Sequence, residues 1–186
     1  NVAMILGDNF FYGQNLTGKL LNNTKLKKGA KVVLHKVQKP EVFGVAKINN
    51  HKKITMIKEK PKKFISDLAI TGLYFFDNNV VKLAKKLKPS KRGELEIVDL
   101  LNLYRKKNQL SADLIGRGGA WLDTGSMDDF YKTSAFVSAI EKRQGLKIAC
   151  LEEISLKNNW INKSHIRKSI NFYGNCDYSK YLAKLI

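Results

Sequence analysis

The chain has 186 residues and carries 34 lysine and arginine residues against 16 acidic ones, a formal net charge of +18. This length suffices for one substantial hydrophobic core, and Cys150 and Cys176 lack the spacing of a disulfide framework or a zinc site. No apolar run approaches the roughly 20 residues of a membrane span, and the first residues lack a signal-peptide pattern. We therefore expect a cytoplasmic protein with no membrane partner.

The positive charge is spread along the whole sequence. Lysines occur from Lys19 to Lys184, whereas only five arginines offer the bidentate fork that nucleic-acid readers favour. Short basic clusters at 25–28 and 60–63 lack the interleaved aromatic residues of a single-strand platform. The pattern favours a solvated lysine-rich surface and no nucleic-acid partner, and a basic binding module without enzymatic activity is the alternative.

The first half of the chain predicts mostly strands. Residues 2–6 are an unbroken apolar run that ends at Gly7-Asp8-Asn9, which predicts a parallel strand buried on both faces. Leucines at helical spacing predict an amphipathic helix over 15–27. Further strands are predicted at four places, the second and third forming a hairpin that turns at Asn49-Asn50: 30–37, 44–48, 53–59 and 68–76.

The second half predicts mostly helices. Asp77 is placed to cap a helix over 79–87, and apolar residues at helical spacing predict another over 94–107. Short strands are predicted over 111–118 and 120–123, and Ser126 is expected to cap a helix that continues to Arg143. From residue 152 onward the pattern is helical without a strand. The sequence thus predicts a mixed α/β body over 1–150 and a helical segment over 151–186.

Three polar loops directly follow predicted strands, at Asp8, at Glu59-Lys60-Pro61 and at Asp123-Thr124-Gly125. In open α/β sheets ligands bind beyond the carboxyl ends of strands, so these loops are expected to share one site. The two aspartates can hold one Mg²⁺, which takes oxygen ligands, and Lys60 and Arg92 offer positive charge to phosphate oxygens. Each residue also has a structural interpretation: a carboxylate that ends a strand or caps a helix, one lysine among many, or an arginine in a turn.

Seven motifs in order along the chain carry a more specific signal: LGDNFFYG, PEVFGVA, EKPK, TGLYFFD, KPSKRGELEI, GRGGAWLDTGSMDDF and EKRQGLKIACLEEI. Together they resemble the glucose-1-phosphate thymidylyltransferases of the sugar nucleotidyltransferase superfamily, from Asn1 almost to the C-terminus. The resemblance implies an α/β fold with a Rossmann-like mixed sheet of the GT-A-like nucleotidyltransferase type, incomplete at the N-terminus, with a helical C-terminal tail.

The resemblance also implies a reaction and its residues. Glucose 1-phosphate attacks the α-phosphorus of dTTP, releasing pyrophosphate and forming dTDP-glucose for biosynthesis of the dTDP-rhamnose and O-antigen type. Asp8 and Asp123 match the family's Mg²⁺ ligands, Lys60 the lysine that holds the sugar phosphate, and Arg92 an arginine near the phosphates. The implied substrate-binding residues are Asp8, Asn9, Gly44, Glu59, Lys60, Ile70 and Asp123. Among them, Gly44 allows close approach of the hexose and Glu59 accepts hydrogen bonds from its hydroxyls.

Some features depart from the family. Phe43 stands where relatives often have tyrosine, and Ile70 where valine is commoner, which leaves fine sugar selectivity open. Family members begin with a glycine-rich G-G-x-G-T-R-L loop that holds the triphosphate, and this sequence has no such stretch. The resemblance therefore implies a C-terminal portion that is catalytically silent alone, and a homotetramer to which residues 151–186 contribute by packing on the body. A nucleotidylyltransferase for another sugar or base remains a further alternative.

Overall fold

The structure, a computed structural model, describes residues 1–90 and 93–186. The chain forms two compact units, residues 1–129 and residues 130–186. The first unit mixes strands and helices, and the second is helical. Within the described residues, no helix is long and apolar enough to cross a membrane. The predicted division into a catalytic α/β body over 1–150 and a helical segment over 151–186 that packs on it stays a prediction.

The described part of the first unit contains a six-stranded and a two-stranded sheet. Its strands are β1 (Val2–Ile5), β2 (Asn9–Tyr12), β3 (Ala30–Lys36), β4 (Gly44–Ile48), β5 (Ile54–Glu59), β6 (Leu68–Phe76), β7 (Leu110–Leu114) and β8 (Ala120–Asp123). Its helices are α1 (Leu16–Thr24), a short 3-10 helix (Pro40–Val42), α2 (Val80–Ala84), α3 (Ile97–Lys106) and the start of α4 (Met127–Gln144). The predicted elements are present, most of them shorter than predicted, and β2 is a strand that no pattern predicted.

Strand β6 is the centre of the large sheet. It pairs antiparallel with β3 on one side and with both β4 and β1 on the other, and β3 pairs parallel with β7. One face of β6 contributes Tyr74 and Phe76 to a core with Leu101 of α3. The opposite face contributes Leu73 and Phe75 to a second core. The continuous apolar run of β6 therefore reflects burial on both faces, and the mixed sheet confirms the predicted fold class.

Strand β1 differs from its prediction as a parallel strand buried on both faces. It runs antiparallel to β6, with Val2 opposite Phe76 and Ile5 opposite Leu73. Val2 is 40 % exposed and Ile5 is 58 % exposed. Among the described residues β6 is its only strand partner. An apolar run shows that a strand can be buried, but the direction and the neighbours of that strand are set by tertiary pairing.

Asp77, which follows β6, ties three elements of the first unit together. Its carboxylate accepts hydrogen bonds from the amide of Gly29 (2.8 Å), the hydroxyl of Tyr104 (2.8 Å), and the amide and side-chain nitrogens of Asn79 (both 3.0 Å). Burial acts to raise the pKa of Asp77, but the hydrogen bonds from Gly29, Asn79 and Tyr104 outweigh it and lower the pKa below its ordinary value. The N-cap of α2 is Asn79, so the predicted cap at Asp77 is wrong, and the contact of Asp77 with the Asn79 amide belongs instead to a larger buried network.

The second unit has its own small core. Beyond α4 it contains α5 (Leu151–Lys157), α6 (Lys163–Tyr173) and α7 (Asp177–Ala183). Its fully buried side chains include Ile166 and Leu182, both at 0 % exposure. Leu156, Ile161, Ile170, Tyr178, Leu185 and Ile186 pack against the buried residues of this core. Many of the apolar residues expected to pack on the body thus pack on one another, and their packing on the body stays a prediction.

Candidate active site

The pairing of β2 with β8 brings Asp8 and Asp123 together. Asp8 lies in the turn between β1 and β2, and Asp123 is the last residue of β8. Strands β2 and β8 are antiparallel, with Asn9 opposite Asp123. Thr124 donates from both its amide and its hydroxyl to the Asp8 carbonyl, each at 2.8 Å, across 116 residues of sequence. The predicted meeting of these two loops is therefore a feature of the fold.

The two carboxylates face the same space beside Gly125. A β-carbon placed on Gly125 would lie 3.1 Å from Asp123 Oδ1 and 3.7 Å from Asp8 Oδ2. The Gly125 amide donates to Asp123 Oδ1 at 3.0 Å. Residues 1–90 and 93–186 contain no cluster of three or more metal-binding side chains. The donor set nonetheless fits a hard divalent cation such as Mg²⁺, which binds through one or two carboxylates and takes its other oxygens from water and substrate phosphates.

Gly44, Glu59 and Lys60 lie at one end of the β4–β5 hairpin. Gly44 is opposite Glu59, and a β-carbon on Gly44 would lie only 2.8 Å from Glu59 Oε2. The Lys60 amide donates to the Phe43 carbonyl at 3.1 Å, and Lys60 has a φ of 38°, which turns the chain away from β5. Glycine at position 44 therefore keeps space open beside a carboxylate that can accept hydrogen bonds from hydroxyl groups.

The Glu59 carboxylate also influences Tyr74 in the neighbouring strand β6. Burial, followed by the negative charge of Glu59, raises the pKa of Tyr74 to about 12.

Trp121 connects the two groups of residues. Its ring packs edge-to-face on the ring of Phe43, with centroids 5.1 Å apart, and Phe43 directly precedes Gly44. Its indole N–H donates to Asn9 Oδ1 at 2.5 Å. Neither Trp121 nor its contact with Asn9 was predicted. The signal that could have found it is spacing, because Trp121 and Asp123 are two residues apart on β8 and so project from the same face.

Two further site residues stay predictions. Ile70 is 8 % exposed and belongs to the hydrophobic core that contains Tyr74 and Val98, so its contact with a sugar stays a prediction. Arg92 lies outside the described residues, and its position near the phosphates likewise stays a prediction.

Comparison with known proteins shows the family of the chain. Residues 1–140 match the family described as nucleotidyl transferase. The chain belongs to the nucleotidyl transferase family. Two relatives are the glucose-1-phosphate thymidylyltransferases of Neisseria meningitidis, 43 % identical over 186 residues, and of Neisseria gonorrhoeae, 44 % identical over the same length. Each alignment covers 100 % of this chain and 65 % of the relative, so the chain spans about two thirds of the length of these curated relatives.

Solved structures are also similar to this chain. A Bacillus anthracis protein assigned as a glucose-1-phosphate thymidylyltransferase, crystallised with sucrose, has a TM-score of 0.61 and 42 % identity, covering 72 % of this chain and 53 % of its own. An apo UDP-glucose pyrophosphorylase has a TM-score of 0.63 at 24 % identity, covering 76 % of this chain and 54 % of its own, and shows the fold alone. The predicted family and fold class are confirmed.

Proposed function

We propose that this chain forms the sugar-phosphate and metal-binding part of a glucose-1-phosphate thymidylyltransferase, which transfers a thymidylyl group from dTTP to glucose 1-phosphate. The observation that carries the proposal is the meeting of the Asp8 and Asp123 carboxylates beside Gly125. They lie at one end of the β2–β8 strand pair, whose Trp121 contacts Phe43 beside the sugar-side hairpin. The names of the curated relatives support this pair of substrates.

The proposed cofactor is Mg²⁺, held by Asp8 and Asp123. Bound there, the ion supplies neutralisation and orientation for the oxygens of the reacting phosphate. The exposed position of Asp8 leaves room for substrate oxygens on the same cation.

The protein's own residues hold the sugar phosphate. Lys60, an exposed side chain at the end of the hairpin, binds the phosphate of glucose 1-phosphate, and Arg92 adds positive charge near the phosphates. Glu59 accepts hydrogen bonds from hexose hydroxyls beside Gly44, and Ile70 forms part of the wall. Lys60 thus holds the phosphate of the sugar and Glu59 its hydroxyls. The phosphate oxygen then bonds to the α-phosphorus of dTTP, and the bond from that phosphorus to the departing pyrophosphate oxygen breaks. Positioning of this kind supplies much of the rate in phosphoryl-type transfer.

Broader properties are proposed from the resemblance. We propose a cytoplasmic homotetramer whose dTDP-glucose serves dTDP-rhamnose and lipopolysaccharide biosynthesis. In this proposal residues 151–186 pack on the catalytic body and help to form the oligomer. Light scattering of the full-length protein at micromolar concentration tests the assembly, and a monomer would contradict it.

The test of the activity is Mg²⁺-dependent release of pyrophosphate by the full-length protein. We expect release from dTTP with glucose 1-phosphate, and loss of release in Asp8→Asn and Asp123→Asn variants that remain folded by circular dichroism. Other nucleoside triphosphates and hexose 1-phosphates are assayed in parallel. Release only with another pair supports the alternative transferase, and no release together with steeply salt-dependent DNA binding supports the basic binding module.

A further inference from the structure

Both the oxygen and the nitrogen of the Asn9 carboxamide make hydrogen bonds. Its oxygen accepts a hydrogen bond from the Trp121 indole at 2.5 Å and a longer one from the Gly72 amide at 3.4 Å. Its nitrogen donates to Asp8 Oδ1 at 2.7 Å. An indole N–H and a backbone N–H are donors only, so both require the oxygen of Asn9. The NH₂ group must then face Asp8, and the orientation of the carboxamide is fixed.

Gly72 of β6 makes room for this arrangement. A β-carbon on Gly72 would lie 2.8 Å from Asn9 Nδ2 and 2.8 Å from Leu6 Cγ. A glycine inside a strand often marks close approach of another group, and here the group is the Asn9 side chain. The carboxamide is therefore seated against the centre of the main sheet, where neighbouring residues restrict its movement.

Trp121 is itself restrained. It is 8 % exposed, and its ring contacts both Phe43 and His35, with centroids 5.1 Å and 6.4 Å away. An aromatic ring packed in this way can hold its N–H in a constant direction. The chain of contacts thus runs from the hairpin that carries Gly44, through Trp121 and Asn9, to the carboxylate of Asp8.

We infer that Asn9 and Trp121 are positioning residues for the metal-binding carboxylate of Asp8, an inference that rests on the proposed function. A hydrogen bond to Asp8 Oδ1 restricts rotation of the carboxylate, and Asp8 Oδ2 is the oxygen that lies nearer the β-carbon position of Gly125. The Trp121 indole acts only through Asn9. Partners of this kind, which orient a metal ligand without touching the metal, typically contribute 10- to 100-fold to metal affinity.

The experiment measures Mn²⁺ binding by the full-length protein from the electron paramagnetic resonance signal of free Mn²⁺. The variants are Asn9→Ala, Trp121→Phe, their double mutant and Asp8→Asn. We expect Asn9→Ala and Trp121→Phe each to weaken binding roughly 10- to 100-fold. The double mutant should bind Mn²⁺ with the same affinity as Asn9→Ala, because Trp121 acts only through Asn9.

Two variants serve as matched controls. Trp160→Phe makes the same substitution at the other tryptophan of the chain, which is 72 % exposed in the second unit. Phe43→Leu alters the ring contact of Trp121 but keeps its indole N–H. Trp160→Phe should bind Mn²⁺ like the wild type, and Phe43→Leu, which loosens the ring but keeps its N–H, should weaken binding less than Trp121→Phe does. In the Trp160→Phe protein, the indole N–H resonance that is lost in Trp121→Phe should also broaden saturably as Mn²⁺ is added, which reports on the site without a substitution near it.

The possible results separate the inference from the function on which it rests. If wild-type binding is absent, or if Asp8→Asn leaves it unchanged, the proposed metal site is wrong and the inference with it. If Asp8→Asn weakens binding but Asn9→Ala and Trp121→Phe do not, only the inference is wrong. Equal weakening by Trp121→Phe and Phe43→Leu would indicate a packing effect and would also overturn it.

Discussion

Replacement of Asp77 by asparagine tests the buried network at the end of β6. Asp77 is 3 % exposed, and its carboxylate accepts four hydrogen bonds, from Gly29, Tyr104 and two nitrogens of Asn79. In Asp77→Asn one oxygen becomes an NH₂ group. The Tyr104 hydroxyl can rotate and accept a hydrogen bond from this NH₂ group, but a backbone N–H cannot. If the NH₂ group replaces one oxygen, it faces the amide N–H of Gly29, and if it replaces the other, it faces the amide N–H of Asn79.

The magnitude follows from these lost contacts. A buried donor left without a partner costs about 1–3 kcal/mol, and a hydrogen bond to a charged group contributes about 1.5–3 kcal/mol. Because the remaining bonds relax in part, we expect Asp77→Asn to lower the free energy of unfolding by about 3 kcal/mol. Tyr104→Phe, which removes one donor and leaves the carboxylate bound by the others, should cost about 1–2 kcal/mol.

Urea unfolding followed by circular dichroism measures both variants at pH 7. The pH dependence gives a second criterion. Because the pKa of Asp77 is lowered in the fold, its stabilisation is fully present above the unfolded-state pKa of about 3.9 and is lost as the pH falls through the folded-state pKa. The difference between wild type and Asp77→Asn should therefore narrow in acid. An Asp77→Asn protein as stable as the wild type at pH 7 would refute this account of the network.

Three further predictions concern the site. Gly44→Ala places a β-carbon 2.8 Å from Glu59 Oε2. In steady-state assays the KM for glucose 1-phosphate should therefore rise by about tenfold, while the KM for dTTP changes little. Equal changes in the two KM values would contradict a role of the hairpin in sugar binding. Lys60→Ala should impair use of the sugar phosphate, and kinetics altered only for dTTP would exclude that role. Residues 1–186 expressed alone should release no pyrophosphate from dTTP and glucose 1-phosphate, and sustained Mg²⁺-dependent release would show that this chain suffices for nucleotide binding.

The sequence by itself was enough to predict elements that depend on neighbouring residues. The β4–β5 hairpin follows from alternating apolar residues and from Asn49, whose side-chain oxygen accepts from the amides of His51 and Lys53 at 3.0 Å. Ser126 caps α4 as predicted, since its hydroxyl accepts from the Asp129 amide at 3.1 Å. The order of motifs was also enough to predict the family, which the comparisons confirm.

Tertiary structure decided what depends on distant residues. Strand β2 lacked a predictive pattern because its stability comes from β8, which pairs Asn9 with Asp123. The same pairing sets the Trp121 indole against Asn9 across 112 residues, which no local periodicity encodes. The direction and exposure of β1 were likewise decided by its register on β6. Hydrophobic period and turn chemistry are properties of adjacent residues, whereas a site assembled from separate strands exists only once those strands have paired.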